Sequence, residues 1–424
     1  MSIESGNGGA PLDRVGMVVL HSHPLAEPGL GDAGGMTVYV REVAGALARR
    51  GVAVDLYTRV DCLCRPEESE LAPGVRVITL PAGGPEASKE ELPEHLPEFT
   101  SNLLARIESS GDRYDLLHSH YWLSGTPAAV VARRLGVPLV HTFHTLGRAK
   151  NSWRRVRDLP EPERRLAGET RVISEADAIV ASTPQERRWL IDLYAAHPEK
   201  VRLIPPGVDH LRFRPGDRAS AKERLGLKDE RVLLFVGRLQ PLKAADTAVR
   251  ALAKLLPRAS DLKLLVVGGA SGPAGASEEK GLRRLAENLG VARAVRFLPA
   301  QPHHMLPDFY RAADVCLVPS YYETFGLVAL EAQACGVPVV ASAVGGLRST
   351  VVDGVTGFLV DPTSPAQFAD RAWSILSSER RASTMSRAAV DNSARFSWDR
   401  SAAELLALYG DCVLTPEEVA AFES

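Results

Sequence analysis

Short β-branched runs alternate with amphipathic helical patterns along almost the whole chain. This alternation is typical of parallel sheets that helices cover on both faces. The predicted strands span residues 15–21, 54–58, 75–80, 116–119, 139–142, 178–181 and 201–204 in the first half, and 231–236, 262–267, 295–298, 315–319, 339–341 and 357–359 in the second. The clearest helical patterns span residues 35–50, 128–135 and 186–194. The sequence therefore predicts an α/β protein with two doubly wound domains.

The length of the chain, 424 residues, predicts two or three domains, because a single core rarely exceeds about 250 to 300 residues. The segment 205–228 contains prolines and charges without a sustained period, which indicates a boundary. We expect a flexible tail over 1–14, one domain over 15–208, a second over 209–395, and a C-terminal segment over 396–424. The last helix, predicted at 399–409, either closes the second domain or crosses back onto the first. A functional site is expected in the cleft where the carboxyl ends of both sheets face each other.

Composition and charge disfavour several classes of protein. The 50 basic and 52 acidic residues give a formal net charge of −2, so the strong basic field of a nucleic-acid-binding protein is missing. The first apolar run, residues 15–20, is too short for a signal sequence or a membrane span. The five cysteines form no dense framework, which favours a reducing compartment. We expect a cytoplasmic protein with no nucleic-acid partner and no integral membrane segment.

A glycine-rich turn at residues 29–35 lies between the first predicted strand and the first predicted helix. Gly34 and Gly35 at a helix N-terminus let a phosphate approach free backbone N–H groups. Residues 29–34 also match G-x-G-x-x-G, and Asp55 lies 21 residues after Gly34. This match keeps a nicotinamide-dependent oxidoreductase open as an alternative. An ordinary glycine turn is the simplest interpretation of the loop taken alone.

Two further motifs follow strands of the second half. Arg238 and Lys243 come directly after the strand at 231–236, where two cations can meet a diphosphate. Glu323 and Glu331 are eight residues apart, with a helix predicted to start near Phe325 between them. One carboxylate can then meet a sugar and the other a ribose, while the N–H groups of 325–327 meet phosphate. Each motif taken alone is also compatible with solvated surface charges.

Histidines end two strands of the first half, as His118 with His120 and as His141 with His144. Strand alternation places only the first pair on a shared face, and no third ligand is evident, so substrate contacts are favoured over a metal site. The chain contains no D-x-D pair of carboxylates. We expect no metal site and no cofactor requirement.

Together, the Gly34-Gly35 pair, the Val-Gly-Arg of 236–238 with Lys243, and the E-x7-E element with Phe325-Gly326 resemble the retaining glycosyltransferases of the GT-B fold, family 4. The segments 21–25, 31–36, 119–125 and 328–334 resemble one branch in particular. That branch transfers N-acetylglucosamine from UDP-N-acetylglucosamine to 1D-myo-inositol 3-phosphate in mycothiol biosynthesis. The resemblance implies two Rossmann-like domains that face each other across a cleft. It also implies that a nucleotide-sugar donor and a small anionic acceptor bind there.

The resemblance further implies roles for individual residues. The implied catalytic residues are Arg238, Lys243, Glu323 and His144. The implied donor site comprises His21, Gly34, Gly35, Arg238, Lys243, Gln301, Glu323, Phe325, Gly326, Leu327 and Glu331. The implied acceptor site comprises Asp32, Thr37, Lys89, Tyr121, Thr145 and Arg165. By this resemblance the two cations of the donor site hold the diphosphate, and the glutamates contact sugar and ribose in turn. Charge-assisted hydrogen bonds from the acceptor site suit a phosphate.

Several positions differ from the pattern of that branch. Thr37, His23 and Phe143 differ on the inferred acceptor side, and Gln301 stands where an arginine near the donor base is expected. These differences keep open a secondary-metabolism relative that uses a GDP-sugar and another acceptor, such as ergothioneine in lincosamide antibiotic assembly. A sugar-nucleotide-binding module without activity gives no reason for the second, acceptor-like set of residues. The sequence leaves open whether the chain forms a homodimer.

Overall fold

The computed structural model describes residues 12–29, 31–63, 65–153, 160–269 and 275–413. The elements of the first half are β1 Arg14–Val18, α1 Gly35–Ala48, β2 Ala53–Arg59, β3 Glu68–Ala72, β4 Val75–Leu80, α2 Leu96–Ser110, β5 Leu116–His120, α3 Trp122–Leu135, β6 Leu139–Thr142, α4 Gly147–Ser152, α5 Glu163–Glu175, β7 Ala178–Ala181, α6 Pro184–Tyr194 and β8 Val201–Leu203.

The second half continues with α7 Arg218–Arg224, β9 Arg231–Val236, α8 Ala245–Leu255, β10 Leu262–Val267, α9 Gly275–Asn288, β11 Val295–Leu298, α10 Leu306–Ala312, β12 Val315–Val318, α11 Leu327–Ala334, β13 Val339–Ser342, α12 Leu347–Thr350, β14 Gly357–Val360, α13 Pro365–Leu376, α14 Glu379–Ser393 and α15 Trp398–Val413.

These strands form two sheets, one in each half. The eight-stranded sheet has the order β3-β4-β2-β1-β5-β6-β7-β8, and the six-stranded sheet has the order β11-β10-β9-β12-β13-β14. The strand pairs are parallel except for β3 with β4, which is antiparallel. The strand order reverses at β1 in the first sheet and at β9 in the second, and ligands bind at such switch points. The predicted fold class, two doubly wound α/β domains, is confirmed.

The carboxyl ends of the two sheets meet at a cleft. The backbone N–H of Leu146, after β6, donates to Tyr322 Oη after β12 at 3.1 Å. Thr183 Oγ1, after β7, donates to the carbonyl oxygen of Thr324 at 3.3 Å. The rings of Trp189 and Tyr322 stack across the same boundary, with centroids 5.5 Å apart. The loops that carry the predicted motifs therefore face one another.

The structure differs from the prediction at three elements. Strand β3 was not predicted, because its sequence ESELA has no β-branched residue and exposed charges suit an edge strand. The predicted linker 205–228 contains α7, which begins where the Asp217 carboxylate accepts hydrogen bonds from the N–H groups of Ala219 and Ser220. Helix α3 begins at Trp122 although Pro127 lies inside it. Tertiary packing overrides the weak helix propensity of its first turns.

The C-terminal helix α15 crosses back onto the first domain. Trp398, Leu405 and Tyr409 lie in the core formed by one face of the first sheet and α1. The crossing runs beside the earlier connection between the domains, since Val208 bridges Ser397. A Cβ at Gly207 would lie 2.2 Å from the Ser397 carbonyl carbon, so only glycine fits there. The two connections are thus packed against each other.

The predicted tail 1–14 lies outside the described residues except for Leu12 to Arg14, and β1 already begins at Arg14. Residues 414–424 of the C-terminal segment lie outside them as well. Cys62 is disulfide-bonded, contrary to the expectation of reduced thiols, whereas Cys316, Cys335 and Cys412 are free. Among the helices of the described ranges, none has both the length and the apolar character needed to cross a membrane.

Candidate active site

The glycine turn after β1 contacts two loops of the second domain. Gly34 is the N-cap of α1, and a Cβ at Gly34 would lie 3.5 Å from Arg238 Nε. A Cβ at Gly35 would lie 3.6 Å from Leu327 Cδ1, at the start of α11. The absence of side chains at both glycines leaves the N-terminus of α1 open to the cleft, beside a guanidinium. Free N–H groups, a helix dipole and a cation together suit an anion.

Thr37, predicted to contact the acceptor, supports the glycine turn. Its side chain is fully buried. Its Oγ1 accepts a hydrogen bond from the Gly34 N–H at 3.2 Å and shares one with Ser22 Oγ at 2.7 Å. Its hydroxyl is thus engaged by the turn, and the contact of Thr37 with the acceptor stays a prediction. Asp32 is exposed on the same turn, where its charge favours the charged form of Arg238.

The two predicted phosphate-binding cations differ in their surroundings. Burial lowers the pKa of Arg238, while Asp32 and Glu323 favour its charged form. Within the described residues, no hydrogen bond or ion pair engages its guanidinium. Lys243 Nζ instead lies 2.6 Å from Glu323 Oε2, with the two side chains 27% and 19% exposed. Arg238 is thus free to bind an anion, whereas Lys243 is held on the carboxylate predicted to contact the sugar.

The loop before α11 is held tightly by a second glycine pair, which the sequence analysis did not select. The carbonyl oxygen of Glu323 accepts a hydrogen bond from the Gly346 N–H at 2.9 Å. A Cβ at Gly345 would lie 1.9 Å from that oxygen, so the loops can approach only with glycine there. Gly326 precedes the helix with φ 96°, a conformation that favours glycine. Helix α11 begins at Leu327, two residues later than predicted, and Phe325 is buried beside it.

Glu331 is held by two residues that the sequence analysis missed. Its Oε1 lies 2.7 Å from His303 Nε2, and its Oε2 accepts a hydrogen bond from Tyr310 Oη at 2.7 Å. Burial acts to lower the pKa of His303, but the charge and hydrogen bond of Glu331 raise it overall. Gln301 is half-buried in the same loop and donates to the Pro299 carbonyl at 3.0 Å. No short-range sequence pattern links these residues to Glu331.

A cavity of about 130 Å³ opens beside the ends of β9, β10 and β11. It adjoins Leu239, the residue after Arg238. Its lining comprises Leu239, Val266, Gly268, Glu279, Arg283, Phe297, Leu298 and Pro299. A cavity lined by both apolar and charged side chains, beside the loop that carries Arg238, can take a flat heteroaromatic group attached to an anion.

Four residues of the predicted acceptor site come together on the first domain. Lys89 Nζ lies 4.4 Å from the Tyr121 ring centroid, and Arg165 Cζ lies 5.1 Å from it. Arg165 Nη2 donates to Thr145 Oγ1 at 2.9 Å. Tyr121 has φ 69° at the start of α3, a strained conformation of the kind that clusters at functional sites. The structure thus assembles two cations and two hydroxyls at the carboxyl ends of β5 and β6.

Arg165 is held in place by two carboxylates that the sequence analysis did not select. Its Nη1 donates to Glu161 and its Nε donates to Glu169, each at 2.7 Å. Glu169 is fully buried and also accepts hydrogen bonds from the Gly147 N–H. The spacing of four residues on either side of Arg165 was visible in the sequence. Burial of the ion pairs was not.

Histidines cluster at the carboxyl ends of β5 and β6. His144 has φ 60°, and its Nε2 lies 3.1 Å from His120 Nδ1. Burial lowers the pKa of His144 to about 3. Burial, followed by the charges of Lys89 and other neighbours, lowers the pKa of His21 well below its ordinary value. The described residues contain no group of three or more His, Cys, Asp or Glu side chains arranged to hold a metal ion.

Asp55 cannot take the ribose-binding role that a nicotinamide enzyme requires. It lies near the amino end of β2, a direct neighbour of β1, whereas the glycine turn follows the carboxyl end of β1. The side chain is 1% exposed and forms ion pairs with Arg14 at 2.9 Å and Arg76 at 2.7 Å. Tyr114 Oη donates to the same carboxylate at 2.6 Å. Asp55 is therefore engaged elsewhere and does not serve as the acidic partner of the G-x-G-x-x-G match, so the alternative of a nicotinamide-dependent oxidoreductase loses its support.

Two Rossmann-like domains facing across such a cleft define the GT-B class of glycosyltransferases. The chain belongs to the family of group 1 glycosyl transferases, as predicted. Residues 217–392 match the description "Glycosyl transferases group 1", and residues 34–207 match "Glycosyl transferase 4-like domain". The prediction that the protein is a glycosyltransferase enzyme is thereby confirmed.

The chain is similar to D-inositol 3-phosphate glycosyltransferases over nearly its whole length. The protein of that name from Actinosynnema mirum is 50% identical, with 94% of this chain and 97% of the relative covered. The one from Acidothermus cellulolyticus is 48% identical, with 96% and 93% covered. Among solved structures, sucrose-phosphate synthase from Thermosynechococcus elongatus has a TM-score of 0.87 and 35% identity over 94% and 98% of the two chains. Anabaena HepE in complex with UDP and glucose, at 19% identity and a TM-score of 0.75 over 94% and 100% of the chains, shares the fold.

Proposed function

We propose that this glycosyltransferase moves N-acetylglucosamine from UDP-N-acetylglucosamine to 1D-myo-inositol 3-phosphate. The observation that carries the proposal is the cluster of Lys89, Tyr121, Thr145 and Arg165. It lies on the first domain, across the cleft from the guanidinium of Arg238, which no described residue pairs. One anionic group of the acceptor and one diphosphate of the donor thus each have a cationic partner.

The acceptor cluster suits a phosphate better than a neutral polyol. Lys89 is half-buried, and its ammonium group and the guanidinium of Arg165 both lie close to the Tyr121 ring, so two cations gather around one side chain. Charge-assisted hydrogen bonds to phosphate are roughly twice as strong as neutral ones. The D-inositol 3-phosphate glycosyltransferases named above carry such an acceptor in their name.

On the donor side, the diphosphate is proposed to lie between Arg238 and the N-termini of α1 and α11. The base then enters the cavity beside Leu239, while Glu331 contacts the ribose and Glu323 the sugar. Fixed positive charge at the leaving group is commonly the largest catalytic contribution. The proposed reaction needs no cofactor, because protein groups supply this charge.

The proposed mechanism retains the configuration at the anomeric carbon. The bond from this carbon to the diphosphate oxygen breaks, and the bond to the acceptor hydroxyl oxygen forms on the same face. The hydroxyl proton passes to the leaving phosphate. His144 is neutral at physiological pH, because its pKa is about 3, so it contributes a hydrogen bond rather than a charge.

The sequence differences on the acceptor side give little support to another acceptor. Thr37 and Phe143 are fully buried, and His23 is 4% exposed. Gln301 differs from the pattern of the branch on the proposed donor side. The experiment that tests the donor therefore includes a GDP-sugar, together with ergothioneine as a carboxylate acceptor.

The test measures nucleotide release and product mass with purified protein. UDP-N-acetylglucosamine and a GDP-sugar are each combined with 1D-myo-inositol 3-phosphate, with unphosphorylated inositol and with ergothioneine. We expect turnover only with the UDP donor and the phosphorylated acceptor. Equal turnover of unphosphorylated inositol, or a preference for the GDP-sugar, contradicts the proposal.

A variant pair tests the acceptor cluster itself. Lys89→Ala should raise the acceptor KM about 10- to 100-fold, since it removes a hydrogen bond to a charged group. The donor KM should not change. Lys254→Ala, on the exposed surface of α8, is the matched control. An unchanged acceptor KM in Lys89→Ala argues against a phosphate at this cluster.

A further inference from the structure

We infer that His120 is a positioning residue that holds His144 with its proton on Nδ1, so that His144 is a fixed hydrogen-bond donor to the transferred sugar. The inference rests on the proposed function for the sugar contact. The tautomer itself is a property of the free protein.

The two imidazoles share one hydrogen bond. His120 ends β5 and His144 follows β6, the neighbouring parallel strand. His120 Nδ1 and His144 Nε2 are 3.1 Å apart, and the ring centroids are 5.2 Å apart with 34° between the planes. Burial lowers the pKa of both rings far below neutrality. Each ring is therefore neutral, and exactly one of the two facing nitrogens carries the shared proton.

The other nitrogen of His120 decides which ring donates. His120 Nε2 is buried and has no hydrogen-bond partner among the described residues. If His120 Nδ1 accepted, this Nε2 would carry a buried N–H without an acceptor, and such orphaned donors are rare in folded proteins. If His120 Nδ1 donates, only a lone pair is left without a partner. The second arrangement is favoured, so His144 Nε2 is the acceptor.

His144 then has its own proton on Nδ1. No hydrogen bond within the described residues engages this atom, and it is not among the fully buried polar atoms without a partner. His144 is half-buried, so Nδ1–H opens toward the cleft. The edge of the Tyr39 ring packs against His144 with centroids 5.0 Å apart and restricts the imidazole. With Nε2 already accepting, His144 offers a donor to a sugar hydroxyl oxygen and has no free lone pair for a base.

The position of His120 is itself supported by the C-terminal helix. The His118 ring lies 4.3 Å from the His120 ring. His118 Nδ1 is 2.6 Å from Tyr409 Oη of α15, and His118 Nε2 is 2.8 Å from Thr142 Oγ1. The helix that crosses between the domains thus anchors the row of imidazoles that ends at His144.

Two substitutions of His120 separate its two nitrogens. In His120→Asn the amide nitrogen takes roughly the place of Nδ1 and can still donate to His144. In His120→Gln the amide nitrogen takes roughly the place of Nε2, and the donor is displaced. We expect His120→Asn to keep kcat within about threefold of wild type and His120→Gln to lower it about 10- to 100-fold, the range for one positioned hydrogen bond. The acceptor KM should be the same in both.

The tautomer is measured directly by ¹⁵N NMR of histidine-labelled wild-type protein, with the His144 signals assigned by comparison with His144→Gln. We expect a protonated Nδ1 and an unprotonated Nε2 for His144 between pH 6 and 9. A protonated Nε2, or equal activity of the two His120 variants at equal melting temperature, overturns the inference. The NMR spectrum reports the tautomer whether or not the protein transfers a sugar. A protein without transfer activity therefore refutes the proposed function, while the tautomer is still decided by the spectrum. If a variant does not fold, the wild-type spectrum still decides.

Discussion

Replacing Lys243 by alanine should lower the turnover number much more than it lowers the stability of the fold. Lys243 forms its ion pair with Glu323 at 2.6 Å, and both side chains keep contact with solvent, at 27% and 19% exposure. Partly exposed pairs contribute about 0 to 1 kcal/mol to folding. The loss of one fixed group that stabilises a leaving anion costs about 2.7 to 4 kcal/mol, or about 10²- to 10³-fold in kcat. Turnover should therefore fall far more than the melting temperature explains.

The assay is the initial rate at saturating donor and acceptor, together with a urea unfolding curve. Lys254→Ala, a lysine of α8 exposed to solvent, is the control for loss of one positive charge. If kcat of Lys243→Ala stays within threefold of wild type, Lys243 does not stabilise the leaving group, and the reasoning is refuted.

A double-mutant cycle with Glu323→Gln distinguishes two ways in which Lys243 can act. If the lysine serves only to hold the Glu323 carboxylate, Lys243→Ala has no further effect in the Glu323→Gln background. If Lys243 contacts the departing phosphate, the second substitution lowers kcat further. We expect the further loss, because the diphosphate is proposed to bind beside Arg238, on the loop that also carries Lys243.

Three other predictions concern the buried charges. Arg165→Ala should destabilise the fold by about 3 to 5 kcal/mol, since Glu169 is left buried and unpaired; an unchanged urea midpoint contradicts this. Hydrogen bonds outweigh burial and lower the folded-state pKa of Asp55. The stability that Asp55 contributes is therefore present above its unfolded-state pKa and is lost as pH falls through its folded-state pKa. Acid titrations should show that Asp55→Asn loses less stability than wild type on acidification. Glu331 raises the folded-state pKa of His303. The stability that His303 contributes is therefore present below the ordinary histidine pKa and is lost as pH rises through the folded-state pKa. The stability difference between wild type and His303→Gln should therefore be larger at pH 5.5 than at pH 8.5 by urea unfolding, and a pH-independent difference contradicts this assignment.

Local patterns made most of the fold predictable. The buried parallel strands are short β-branched runs, and nearly all of them were located within a few residues. The exceptions have local reasons: β3 is an edge strand with charged residues, and α3 continues through Pro127. The glycine turn, Arg238, Lys243, Glu323 and Glu331 were also found, because each motif is continuous in sequence and follows a strand.

The sequence by itself determined the order of the elements and the chemical groups that end each strand, because short-range periodicity and turn chemistry act between neighbouring residues. Only the tertiary structure decided which of those groups meet. It buried Thr37 and Phe143, removed Asp55 from the glycine turn, and paired Glu331 with His303. These contacts join residues far apart in the chain, and they depend on how two sheets and a crossing helix pack, which no local pattern specifies.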